Sequence, residues 1–352
     1  MILGPCQLIA HITTKHDGSY EINDHSATRI FPSTNENRCL NLGPTVRKIL
    51  GRSPFTFFEH PKHLDSIISG CVLSGNQHVL KEANTVVTWR GILTRIFLGN
   101  KVIVHISFID NTMYIEEADL KPEWTATQYA LTDAVGMAFE DVYSQPLDSS
   151  LSAPNSVQPD PEHVDQQWGN LVQRSLGDLN LIFCGEVDAV KDDIGGGTPN
   201  DWFDKRVELK SRNIHSRYPI SYARWHMQSS LLEVPEIFVG YRDNNLCVTY
   251  TDTVRVSDIQ PANFNDSLQR GYNVLSALRA TFESKREEEG TDLDDTIWKV
   301  VINEGYVSNA IKLEDIEAHK VKRRRELPHT PSVARVGIVP KEMVSRLRGY
   351  RR

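Results

Sequence analysis

The segment LIFCGEVDAVKDDIGGGTPNDWFDKRVELKSR, residues 181–212, decides how the chain is read. Strand-like runs at 179–190 and 206–210 flank a polar, Gly-rich turn region. In an extended chain side chains alternate between faces, so Glu186 and Asp188 point one way, and so do Glu208 and Lys210. Two charged pairs can therefore meet on one surface. Carboxylates within apolar strands are costly to bury unless a charge compensates them, and a hard divalent cation with oxygen ligands is the usual compensator. The segment predicts a metal site; the alternative from the residues alone is an exposed sheet face with salt bridges.

Working outward, the chain has 352 residues, enough for one large domain or two average ones. Apolar residues make up 39% and charged residues 24%, which excludes wholesale disorder. Five cysteines, with no CxxC pair, argue against a disulfide framework and a structural zinc site, and suggest a reducing compartment. The N-terminal MILGPCQLIAHITTK lacks a basic lead-in, and no apolar run reaches membrane-spanning length, so a soluble, non-secreted protein without a membrane partner is expected. The net charge of -7 is uneven: residues 320–352 carry eleven Lys/Arg against two Glu. An acidic body with a basic end raises the question of nucleic acid, and KVKRRR reads as the start of an unfolded basic tail with the look of a nuclear localisation signal. A merely solubilising end is the alternative.

Upstream, 7–12 and 27–31 are weak strand candidates, and 61–73 reads as a helix opened by HPKH. His60 and His63, three apart, could ligate a metal or be ordinary surface histidines. Residues 84–96 begin as a β-rich run, and 101–109 and 112–116 follow as strands joined by a turn at Asp110 and Asn111, giving a small antiparallel sheet. Arg90 is the odd residue there, either an exposed edge arginine or an inward anion contact. Residues 125–143 read as a helix in which Gly136, allowing a close approach, and Glu140 share a face; a lone helical glutamate is ordinarily just solvated. Residues 145–161 form a Pro/Ser-rich surface loop. A helix at 222–233 carries Trp225 and Gln228, a hairpin spans 236–251, and 266–289 is a core-packing helix with apolar residues at helical spacing.

There is no P-loop, GxGxxG or GxSxG, which removes the nucleoside triphosphatase, Rossmann and α/β-hydrolase readings. The remaining set, Glu186, Asp188, Glu208 and Lys210, suits metal-dependent phosphodiester cleavage. Carboxylates hold one or two Mg²⁺ or Mn²⁺, and a lysine orients the nucleophile.

Five motifs occur in an order that resembles the DXO and Rai family of RNA 5′-end decapping nucleases: Trp89-Arg90-Gly91, GMAFE (136–140), CGEVD with Glu186 and Asp188, VELKSR with Glu208 and Lys210, and Gln228 ahead of VGYRD. The resemblance is clear over 84–243. It implies a mixed α/β (α+β) fold of two β-sheets flanked by helices, related to the PD-(D/E)XK nucleases. One catalytic domain is expected over 1–318, with a surface loop at 145–165; the basic tail read at 319–352 is a departure from the family. It further implies that Glu140, Glu186, Asp188, Glu208 and the carbonyl of Leu209 ligate Mg²⁺ or Mn²⁺, in a two-ion site. Lys210 would position water, and Arg90 and Gln228 would contact RNA, with Glu140 and Lys210 also facing substrate. The implied reactions are removal of incomplete or NAD caps, pyrophosphate release from 5′-triphosphate ends and 5′-to-3′ degradation. An XRN-type exonuclease partner and residence in the nucleus, with the cytoplasm as second choice, come with the nuclear branch of the family. The chain departs from the usual GYKFE in having Met137 and Ala138. The alternatives are a catalytically idle protein that stabilises an exonuclease, and a DNA-directed nuclease of the same broad fold.

Overall fold

A computed structural model describes residues 1–15, 19–51, 63–118, 126–147, 166–193, 201–261, 263–289, 294–314, 316–320 and 333–349. Its strands are β1 (Gln7–Thr14), β2 (Tyr20–Ile22), β3 (Arg29–Phe31), β4 (Thr85–Trp89), β5 (Val102–Ile109), β6 (Thr112–Glu117), β7 (Gln145–Pro146), β8 (Gln167–Leu176) and β9 (Leu179–Glu186). There follow β10 (Ala189–Lys191), β11 (Arg206–Asn213), β12 (Glu236–Arg242), β13 (Val248–Arg255), β14 (Trp298–Asn303), β15 (Tyr306–Lys312), β16 (Arg335–Val336) and β17 (Val339–Pro340). The helices are α1 (Gly43–Leu50), α2 (Asp65–Leu73), α3 (Arg90–Leu98), α4 (Ala126–Tyr143), α5 (Tyr222–Leu232), α6 (Phe264–Glu289) and α7 (Lys341–Gly349).

Two mixed sheets carry the fold, as expected. One has nine strands in the order β15-β14-β5-β6-β4-β9-β8-β1-β2, the other six in the order β13-β12-β11-β10-β3-β7. One face of the larger sheet packs on α3 and α6 through Ile92, Ile96, Leu275 and Phe282, in a core that also takes in Ile30 and Val190 of the smaller sheet. Its other face is covered by Ile67 and Ile68 of α2 and by Val344 and Leu347 of α7. The smaller sheet packs on α1 and α4. The site described below lies where the two sheets share a core.

The strand run at 84–96 is shorter than its composition suggests. β-branched residues carry it to Trp89, then Arg90 starts α3, which Gly99 ends in the left-handed conformation (φ 74°). β4 is parallel to both β6 and β9, so the small antiparallel sheet expected there is part of a large mixed one. The turn between β5 and β6 is as read, with positive φ at both Asp110 and Asn111. Gln145 and Pro146, expected in a loop, pair with β3; 148–165 lie outside the described residues.

The basic end differs most from expectation. Residues 335–349 form a hairpin and a helix, with Ile338, Val339, Val344 and Leu347 buried. Arg335 makes a bidentate pair with Asp65 (2.9 and 2.7 Å), both side chains buried. Lys320, first of the basic run, donates to Asp295 and to the Arg335 carbonyl; 321–332 lie outside the described residues. Charge count suggested a tail, but the apolar residues spaced between the charges dock it on the sheet. Arg335→Ala should leave the Asp65 carboxylate buried without its partner and lower stability by about 3 kcal/mol. Urea unfolding checks this; an unfolded tail would give no change.

Candidate active site

The four charged residues of the opening segment reach the site differently from the alternation expected of one strand. Glu186 is the last residue of β9 in the nine-stranded sheet, and Asp188 stands just before β10 in the six-stranded sheet. The chain passes from one sheet to the other between them. Val187 makes the crossing with its amide donating to the Trp168 carbonyl and its side chain in the shared core. Glu208 and Lys210 do share a face of β11, as read.

The contacts are dense. The Lys210 ammonium donates to Glu208 Oε1 (2.6 Å), to Asp188 Oδ2 (3.4 Å) and to the Leu209 carbonyl (3.3 Å). The Leu209 amide donates to Asp188 Oδ2 (2.7 Å), and Arg90 Nη1 donates to Glu208 Oε2 (3.4 Å). Glu208 is 2% exposed, which removes the reading of an exposed salt-bridged face. Arg90 is likewise buried, at the N-terminus of α3 and not on a sheet edge. It lies against Gly185, where an added Cβ would stand 2.7 Å from Arg90 Cδ; a side chain there would push the guanidinium out of place.

Glu140, on α4, completes the acidic cluster; burial first, and then the charges of Asp188 and Glu186, drive its carboxyl well above the usual range. Burial and the neighbouring Asp188 push Glu186 up to about 8, against the pull of Arg90. Asp188 is raised by burial and by Glu208, with Lys210 opposing. Glu208 goes the other way: burial is outweighed by Lys210 and Arg90, which hold it down to about 2. The cluster thus has more carboxyl groups than Lys210 and Arg90 can hold ionised.

Arg29 escaped the sequence reading. Isolated on β3, it is half-buried beside α4, donating through Nε to Ser144 Oγ (2.6 Å) and through Nη2 to Asp141 Oδ1 (3.2 Å), and its charge bears on Glu140. No local pattern marks it, since its partners lie more than a hundred residues away. Gly136 was expected to admit a close neighbour, yet a Cβ there meets nothing within 4 Å among the described residues. Gln228 is half-buried on α5, one turn from Trp225 and so on the side toward β12, but bonds to none of the other site residues. His63 is not a surface residue: its Nδ1 is 2.7 Å from Glu116 Oε2, both buried; His60, the other half of the expected pair, lies outside the described residues.

The donor set fits a hard divalent cation. It is all oxygen, and among the described residues no side chain hydrogen-bonds to the Glu140 or Glu186 carboxylate. No three acidic, histidine or cysteine side chains among the described residues converge closely enough to chelate as they stand, and the Lys210 ammonium occupies two of the carboxylates instead.

Fold and donor set together define the class: a mixed α/β protein with a buried acidic, lysine-bearing cluster of nuclease type where two sheets meet. The chain belongs to the RAI1 like PD-(D/E)XK nuclease family, whose model matches residues 5–344. It is 25% identical over 207 residues to a decapping nuclease RAI1 of Cryptococcus neoformans, covering 53% of this chain and 52% of the relative. It is 24% identical over 268 residues to that of Yarrowia lipolytica, covering 70% and 73%. The chain thus matches from about half to about three quarters of these relatives' length. In structure it is similar to Candida albicans Rai1 in complex with pU5 and Mn²⁺ (TM-score 0.66, 15% identity, 99% of this chain and 97% of that one). It is also similar to Scheffersomyces stipitis Rai1 in complex with (3′-NADP)⁺ and calcium (TM-score 0.67, 14% identity, 99% and 96%).

If the raised carboxyls are metal ligands, an ion must displace their protons. Burial and Asp188 push Glu186 up to about 8 in the metal-free protein, so Mn²⁺ affinity should rise with pH between 6 and 8. Calorimetry at pH 7 in buffers of different ionisation enthalpy should show proton release. Affinity independent of pH between 6 and 8 would contradict this.

Proposed function

We propose that the protein is a divalent-metal-dependent hydrolase of RNA 5′ ends, acting on incomplete caps, NAD caps or 5′-triphosphates. The observation that supports this most is the buried Glu208–Lys210–Asp188 contact set beside Arg90, on a chain whose relatives are named decapping nucleases. Glu140, Glu186, Asp188, Glu208 and the Leu209 carbonyl are the groups that would hold the ion. Mg²⁺ or Mn²⁺ is the choice that an all-oxygen set and the Mn²⁺ complex of the Candida relative support. Bound there, the metal would supply Lewis acidity toward a phosphorus oxygen and a lowered pKa for bound water.

The protein's own groups do the rest. Lys210 keeps its proton, because Asp188 and Glu208 outweigh the effect of burial, so it serves as a hydrogen-bond donor that orients the attacking water and not as a base. Arg90, with one nitrogen on Glu208, offers its remaining donors to a phosphate, and Gln228 reaches the substrate from the α5 side. Burial lowers the local dielectric and strengthens each of these contacts where charge develops at phosphorus.

Nuclear residence belongs to the same proposal, supported by the basic run 320–325, and so does an XRN-type exonuclease partner, supported by the family resemblance.

Purified protein with Mg²⁺ or Mn²⁺, given RNA bearing unmethylated-cap, NAD or triphosphate ends, should hydrolyse at least one. Replacing both Glu186 and Asp188 by Ala should lower the rate by two orders of magnitude or more, in keeping with the several kcal/mol that a catalytic ion supplies. A folded protein silent on every end would sink the enzymatic reading and leave the role of a binding partner.

A further inference from the structure

Strand β11 does not end at Lys210. Its alternation puts Arg212 on the same face as Glu208 and Lys210, roughly 7 Å further along. In the register of the sheet Arg212 lies opposite Tyr241 on β12, and Tyr241 lies opposite Tyr250 on β13. The three side chains make one row across adjacent strands. The tyrosine rings are stacked, with centroids 4.3 Å apart and planes 11° from parallel. From the α5 side Trp225 packs on the same buried cluster of Ile237 and Val239 as Tyr241 does, and Tyr222 meets Trp225 edge to face at 5.8 Å. Even so, Tyr250 is 52% and Tyr222 42% exposed.

Exposed aromatic rings held in place by stacking offer flat π surfaces at little entropic cost, and every base has a π-face. We propose that the Arg212–Tyr241–Tyr250 row, with Tyr222 beside it, is a stacking platform for the nucleotides that follow the 5′ end of a single-stranded RNA. This rests on the hydrolase reading above. The row is continuous with the Lys210 face, and adjacent strands about 4.8 Å apart place Tyr250 roughly 10 Å to the side of Arg212, a span of two or three nucleotides. Arg212 supplies a cation for a phosphate. Asp252, opposite Val239 on the same face, repels phosphates from β13 and so favours bases over backbone on the tyrosine side.

The test compares affinities, by fluorescence anisotropy in Ca²⁺, for a 5′-monophosphorylated RNA pentanucleotide and for the dinucleotide with the same 5′ end. With Tyr222 and Tyr250 both replaced by Ala, pentanucleotide affinity should fall about tenfold or more, as expected for losing base stacking, while dinucleotide affinity changes far less. Tyr250→Phe, which keeps the ring, should bind like wild type, separating stacking from any loss of folding. Unchanged pentanucleotide affinity, or equal losses for both ligands, would overturn the platform. If the wild type hydrolyses no 5′ end yet shows the tyrosine-dependent preference for the longer RNA, the hydrolase reading fails and the platform stands.

Discussion

The contact on which the site depends is the Lys210 ammonium held between Glu208 and Asp188. Four carboxylates, those of Glu140, Glu186, Asp188 and Glu208, crowd into one largely dry region. Each would be expensive to bury alone. Lys210 and Arg90 divide their positive charge unevenly: both favour Glu208, which stays ionised, and leave Glu140 and Glu186 with raised proton affinity. That asymmetry gives the site its chemistry. One carboxylate is fixed as a permanent anion that anchors the lysine, while burial and their neighbours' charge make Glu140 and Glu186 hold protons more tightly than an ordinary carboxylate.

The fold supplies this arrangement through a change of sheet. Glu186 closes a strand of the nine-stranded sheet and Asp188 precedes one of the six-stranded sheet, so the two carboxylates belong to different layers yet lie two residues apart. Val187 is buried in the core common to both sheets, which fixes the crossing. Arg90 reaches the same place from a strand-to-helix junction, and Gly185 leaves the space its side chain needs. Glu140 arrives on a helix that Arg29 clamps from β3. Residues from four separate stretches thus meet only because two sheets share one core.

Much of this was legible before any coordinates. Glu208 and Lys210 sit on one strand face as period two requires, and the helices bearing Glu140 and Gln228 fall where apolar spacing places them. Arg90 was legible as unusual but not as helical, because TVVTW and the following GILTRIF are both apolar and only the change of period at Trp89 separates them. The same-strand reading of Glu186 and Asp188 failed because a short break between sheets leaves no turn residue to announce it. Arg29 left no local trace, and the C-terminal helix was hidden by its charge: Val344 and Leu347 are few among arginines and lysines, yet they suffice to dock it beside the Arg335–Asp65 pair. What sequence conveys poorly here is long-range pairing of charge.

The most direct test of the central claim is anomalous diffraction from crystals soaked in Mn²⁺. A manganese peak bounded by the carboxylates of Glu140, Glu186, Asp188 and Glu208 is the predicted result. A saturating soak with no peak there, or with ions bound only elsewhere, would show that Lys210 and Arg90 alone neutralise the cluster and would contradict the metal site.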